Sequence, residues 1–438
     1  MGSALRKTIP QPPRLALASV DTGPENYANT ATLAPALTHP NLSLVREPRL
    51  RIAHISPSVS PTSGGPATVT VRLAAAQAAM GHEVTIVSSL APEDREMFMA
   101  ASRNIPHFDQ VRLLLTPWTS NLQSRFGRRS LPIFQSLFPF VDLVHIHGVW
   151  EPTLLAAATM AHQLKVPYIV RPCGVLDPWS LGQRSFKKKL ALALTHKKML
   201  DQASLIHTLN SDEDRLIEPL HITARRTIIP NGVFLDEVDE TPSSDALFAR
   251  FPALRTHPYI LFLARLHHKK GLDILAEAFT RIAPLHPNMH LMVAGPDGGA
   301  KEGFLREIKA HELGQRVHMP GPLVGTAKAT AYRNATCFCL PSRQEGFSLS
   351  IIEALAARVP VAISEDCHFP QVRQIGAGRV FPLNAVDAAA ALHEILSAPT
   401  PAQRRMGDAG RAYVEEFLTW EHVAEMTMDA YTDVLQAA

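Results

Sequence analysis

The stretch PSRQEGFSLSIIE, residues 341–353, decides how the rest of the chain is read. It follows the apolar run CFCL at 337–340, whose shortness marks a buried strand. It runs into a helical pattern, with Leu349, Ile352, Leu355 and Ala356 at helical spacing. Between strand and helix lies a helix N-terminus, where unpaired backbone N–H groups and the dipole favour an anion. Glu345 precedes that N-terminus and Glu353 lies well inside the helix. At about 1.5 Å per residue their backbones stand about 10 Å apart along the axis. Two isolated glutamates are ordinarily surface residues, so the surrounding segments carry the reading.

Those segments repeat one pattern. RIAHISPSV at 51–59 is an apolar strand; Gly64 and Gly65 follow, then a helix stopping at Gly81 and the strand EVTIVSS. Strand, glycine loop, helix and strand in this order signal an α/β chain with a parallel, doubly wound sheet. The GxGxxG fingerprint is absent, so Gly64 and Gly65 make either a plain turn or a loop whose backbone faces a ligand. VDLVHIHG at 141–148 is a buried strand ending in His147, at the edge where open α/β sheets bind ligands. A structural histidine is the competing reading, and His145 shares its face. YIVRPCGVLDPWS at 168–180 repeats the motif, and Trp179 with Trp150 offers either a sugar platform or core packing. PYILFLARL, HLMVAGP and VPVAIS supply strands of a second half.

Together these segments resemble the retaining GT-B glycosyltransferases of glycosyltransferase family 4. The resemblance rests on Glu345 and Glu353 with seven residues between them, and on ARLHHKKG at 264–271. IPNGV at 229–233, HIHG at 145–148 and the glycine loop and helix at 63–87 complete it, all in the family's order. It implies GT-B architecture: two Rossmann-like doubly wound domains facing a central cleft, with acceptor on the first and donor on the second. Residues 49–235 are the first domain, 236–256 a polar linker, 257–418 the second domain, and 419–438 a helix crossing back. Residues 1–48, rich in Pro, Ala, Thr and Asn without sustained periodicity, are expected to be a disordered tail.

The resemblance also assigns roles. Glu345 approaches the donor sugar, and Glu353 holds the ribose hydroxyls. Arg265 and Lys270 clamp the diphosphate, His147 stands beside the sugar, and Gly64 and Gly65 face the donor. Phe347, Ser348 and Leu349 lend backbone N–H groups from the helix start. The expected catalytic set is Glu345, His147, Arg265 and Lys270. Negative charge builds on the β-phosphate as the C1–O bond breaks, and fixed cations and N–H dipoles are the most effective assistance there. Arginine grips two phosphate oxygens and lysine adds a compact charge, so neither a metal nor a cofactor is implied. The family often has Gly where Ser348 stands, usually Gly at Arg358, and frequently Glu at Gln371; these departures bear on donor choice.

Composition narrows the alternatives. A net charge of +3 over 438 residues gives no basis for nucleic-acid binding. Four cysteines without zinc spacing fit a reduced, cytoplasmic protein. Twenty histidines show no metal-ligand spacing such as HExxH. No apolar run reaches the length of a membrane span. Two basic, apolar segments, 124–140 (Arg125, Arg128 and Arg129 beside Phe126, Phe134 and Phe138) and 184–198, are either solvated faces or interfacial helices drawn to anionic lipid. The latter would place the protein on the inner face of the cytoplasmic membrane.

The expected activity moves a hexose from a UDP- or GDP-sugar to a growing cell-surface polysaccharide or its lipid-linked precursor. A nucleotide-sugar 2-epimerase of the same fold, or a non-catalytic nucleotide-sugar binder, are the alternatives.

Overall fold

The computed structural model describes residues 49–116, 130–183, 188, 190–239 and 245–437. The tail at 1–48, Arg125, Phe126, Arg128, Arg129 and part of the second basic segment lie outside these residues.

The first lobe holds seven parallel strands: β1 (Arg51–Ile55), β2 (Glu83–Ser89), β3 (Arg112–Thr116), β4 (Leu143–His147), β5 (Tyr168–Arg171), β6 (Leu205–Thr208) and β7 (Arg226–Ile228). Their order is β3-β2-β1-β4-β5-β6-β7. The second lobe holds β8 (Tyr259–Leu263), β9 (His290–Ala294), β10 (Val317–Gly321), β11 (Cys337–Leu340), β12 (Val361–Ser364) and β13 (Gly378–Phe381), ordered β10-β9-β8-β11-β12-β13. This is the doubly wound GT-B architecture expected from sequence. The strands are nearly continuous apolar runs because helices cover both faces of each sheet. YILFL and HLMVA are buried almost throughout.

Each sheet reverses direction at its first strand, and a crevice opens at the carboxyl ends there. In the first lobe the reversal lies between β1 and β4, which lead into the glycine loop and into Gly148. In the second it lies between β8 and β11. Those strands lead into ARLHHKKG and into residues 341–353, so the topology brings both to one edge.

Helix α1 (Gly65–Ala79) packs on the first sheet, and the last helix, α2 (Trp420–Ala437), packs beside it. Trp420, Val423, Ala424, Met428 and Tyr431 share a core with Ile52, Leu73 and Ile169. Leu418 is buried in the core of the second lobe, so the chain crosses between lobes at Thr419. It also crosses at Val233, and the two crossings pair: Val233 N donates to Leu418 O at 2.9 Å and Trp420 N to Val233 O at 3.1 Å.

Within the segment 236–256, Val238, Leu247 and Leu254 are buried in the second lobe's core. One expectation needs correction. Phe134 and Phe138 do not face a membrane. Both are wholly buried and stack with ring centroids 5.0 Å apart, because the first lobe uses them as core. Among the described residues, no helix is long and apolar enough to cross a membrane.

Candidate active site

Two loops are locked together before any ligand is considered. Gly271 has φ +70°, and a Cβ there would stand 1.8 Å from Pro341 O, so only glycine permits the approach. Arg343 N donates to Lys269 O at 2.7 Å, and Ser342 Oγ to the same carbonyl at 3.0 Å. Glu345 N donates to Asp366 O at 3.0 Å. The basic loop after β8 and the stretch after β11 therefore form one rigid piece.

On that piece Lys270 Nζ donates to Glu345 Oε1 at 2.5 Å. Burial by itself would raise the Glu345 carboxyl. The ammonium groups of Lys270 and Lys269, with hydrogen bonds from Lys270 and Ser342, outweigh it and hold the group below the usual carboxylate value. Glu353, on the helix Leu349–Ala356, accepts from Lys328 Nζ at 2.8 Å. The Ser348 side chain at the N-cap makes no capping hydrogen bond, which leaves the first N–H groups of this helix for a ligand. Arg265 is exposed and donates through Nη2 to Thr62 O at 3.1 Å, beside Gly64.

A cleft of 1820 Å³ lies between the lobes. Gly64, Gly65, Arg265, Lys270, Glu345, Phe347, Ser348, Leu349 and Glu353 all line it. His147, expected beside the donor sugar, is not among the residues that line it. Its ring is fully buried, with Nε2 2.9 Å from His54 Nδ1, and it stacks on His145 at a centroid distance of 4.4 Å. His207 and the buried Arg171 belong to the same cluster. Burial, then the charges of its neighbours, lowers its pKa well below the usual value, so it is neutral. The nitrogens of His54, His145 and His147 lie within 4.8 Å of one another, close enough for a metal ion. The contact of His54 Nδ1 with His147 Nε2 has hydrogen-bond length, however, and Arg171 places a cation beside the cluster; the residues fit a shared proton better.

Sequence reasoning missed the side chains that join the lobes. Asn210 Nδ2 donates to Gly346 O at 2.6 Å, Asn231 Nδ2 to Phe347 O at 2.7 Å, and Gln344 Nε2 to Gly174 O at 3.1 Å. Buried Arg171 holds Asn231 through Oδ1. All three bonds end on or start from residues 344–347, so the first lobe grips the opening stretch directly. Asn231 lay within the quoted IPNGV, but nothing in one sequence reveals a partner so distant along the chain.

The family described as Glycosyl transferases group 1 matches residues 244–413, and the Glycosyl transferase 4-like domain matches residues 64–232. The chain belongs to the GT-B glycosyltransferases. This glycosyltransferase is 26% identical over 396 residues to the phosphatidyl-myo-inositol mannosyltransferase of Mycolicibacterium smegmatis, covering 88% of this chain and 94% of the relative. It is 27% identical over 300 residues to the D-inositol 3-phosphate glycosyltransferase of Mycolicibacterium paratuberculosis, covering 67% of each. Among solved structures, Anabaena HepE in complex with UDP-glucose superposes with a TM-score of 0.70 at 14% identity, over 88% of this chain and 100% of that one. Sucrose-phosphate synthase from Thermosynechococcus elongatus gives 0.69 at 21%, over 89% and 100%.

Proposed function

We propose that this glycosyltransferase is a retaining hexosyltransferase, taking a hexose from a UDP- or GDP-sugar and passing it to a cell-surface polysaccharide or its lipid-linked precursor. The observation that carries the reading is the convergence of Arg265, Lys270, an uncapped helix start and two carboxylates on one wall of the cleft. Arg265 and Lys270 neutralise the diphosphate as it departs, and the N–H groups after Ser348 add to them. Glu353, steadied by Lys328, takes the ribose hydroxyls. Glu345 takes hydroxyls of the hexose and stabilises positive charge at C1.

The C1–O bond to the β-phosphate breaks while an acceptor oxygen bonds C1 on the same face, and the acceptor proton passes to the departing phosphate oxygen. Glu345 is not a nucleophile in this scheme, since its carboxylate is engaged by Lys270. His147 acts only through the packing of β4. HepE's UDP-glucose complex and the mannosyltransferase's lipid-linked acceptor, by their names, favour a nucleotide-sugar donor and a glycolipid or saccharide acceptor. The test is release of UDP or GDP from a panel of nucleotide-hexoses by the purified protein, with the anomer of the transferred sugar read by NMR. No turnover of any donor, or an inverted anomer, refutes the reading.

A further inference from the structure

Lys269, one residue before the clamp lysine, has no part in the proposed donor site. Its backbone is fixed by the bonds from Ser342 and Arg343 described above. Its side chain lines the cleft, and Nζ stands 5.5 Å from the ring centroid of Trp179, which comes from the first lobe. Among the described residues, this ammonium has no hydrogen-bonded acceptor.

The carboxylates nearby are already engaged. Glu345 holds Lys270, and Asp177 accepts from Ser180 N at 2.6 Å and from Gln344 Nε2. A second cation, Lys188, stands 5.5 Å from the ring of Trp150 and donates to Ser180 O at 2.5 Å. Burial pulls the Lys269 pKa down; Glu345 and Asp177 oppose this, while Lys270 and Lys188 add to it. A partly dehydrated cation without an acceptor gains strongly from an anion. The half-buried Trp179 ring lines a smaller pocket next to it, with Asp177, Arg343 and His368.

We propose that Lys269, seated on the Trp179 ring, forms a subsite for an anionic sugar of the acceptor, one bearing a carboxylate or a phosphate. The assignment to the acceptor rests on the proposed donor placement, in which Arg265 and Lys270 take the diphosphate. The subsite itself stands on its own geometry.

The test is calorimetry on the full chain, with and without UDP, titrated with methyl glucuronide, methyl glucoside 6-phosphate and neutral methyl glucoside. The wild type should bind at least one anionic probe about tenfold or more tightly than the neutral one. Whichever probe gains distinguishes carboxylate from phosphate. Lys269→Met keeps the stem over Trp179 and should abolish the preference, whereas Lys269→Arg should retain it. Equal affinity for all probes, failure of both anionic probes to bind, or a preference that survives Lys269→Met overturns the proposal. So does an equal loss of UDP affinity in Lys269→Met, which would assign the lysine to the diphosphate. Failure of the wild type to bind UDP or GDP sinks the donor site instead, and the titration without nucleotide still reads the subsite.

Discussion

Replacing Glu345 by glutamine should tighten the binding of bare nucleotide while slowing transfer. In the free protein Lys270 is held by Glu345 at 2.5 Å, in a pocket where the carboxylate is only 8% exposed. A diphosphate must share that lysine and approach that carboxylate. A diphosphate with about two charges, about 8 Å from a carboxylate at an effective dielectric of about 40, is repelled by about 2 kcal/mol. Salt screening and the loss of Lys270's anchor reduce this to about tenfold in UDP or GDP affinity. Turnover should fall about 10- to 100-fold, because a charged hydrogen bond to the sugar is lost. Glu353→Gln is the control: its assigned partner is ribose, so nucleotide and donor should both weaken about tenfold or more. Calorimetry with UDP and GDP, beside rates on the same variants, reads both effects. If Glu345→Gln weakens bare nucleotide as Glu353→Gln does, the assignment of sugar and ribose along this helix is wrong.

If Arg265 and Lys270 take the role of a divalent cation, as proposed, turnover should persist in excess EDTA; loss restored by Mg²⁺ or Mn²⁺ would contradict that assignment. Arg358 has φ +60°, in the left-handed region that costs a side chain about 1 kcal/mol. Its ion pair with Asp408 is exposed and worth less than about 0.5 kcal/mol, so Arg358→Gly should raise the melting temperature by about 1 °C, and a lower one would show the strain to be absent. Burial pushes the Glu213 carboxyl from 4.5 up to about 7, against hydrogen bonds from Gly174 N and Leu209 N. A raised folded-state value gives stability that is full below pH 4.5 and is lost as pH rises through about 7. Measured by urea denaturation, wild type relative to Glu213→Gln should therefore lose up to about 3 kcal/mol over that window. A constant difference would refute the shift; the variant serves as the reference because the buried histidines titrate with the opposite sign.

The proposed donor wall was legible because its chemistry is contiguous. Glu345, the helix start and Glu353 fall within one short stretch, and Gly271 joins the basic loop to it. Arg358 was noted only as a departure from glycine; its positive φ shows the physical reason for glycine there. The burial of His147 was not legible, because strand alternation reports which face a residue takes, not which layer of packing lies over it. His54 and His145 pack on its ring, and His207 and Tyr431 pack in turn on His145. Lys269 was passed over beside a better-known neighbour, since its distinguishing partner, Trp179, comes from the other lobe.

The paired crossings at Val233 and Thr419 have a mechanical meaning. A single covalent strand between two bodies is a swivel, free to twist. Two strands hydrogen-bonded side by side resist torsion and sliding and yield mainly to bending, as a strap does. A Cβ on Gly232 would come within 2.9 Å of Trp420 N, so the strap has no slack at its middle. Such a strap restricts any relative motion of the lobes to bending about one line, which keeps the loop at Gly64 in register with Arg265.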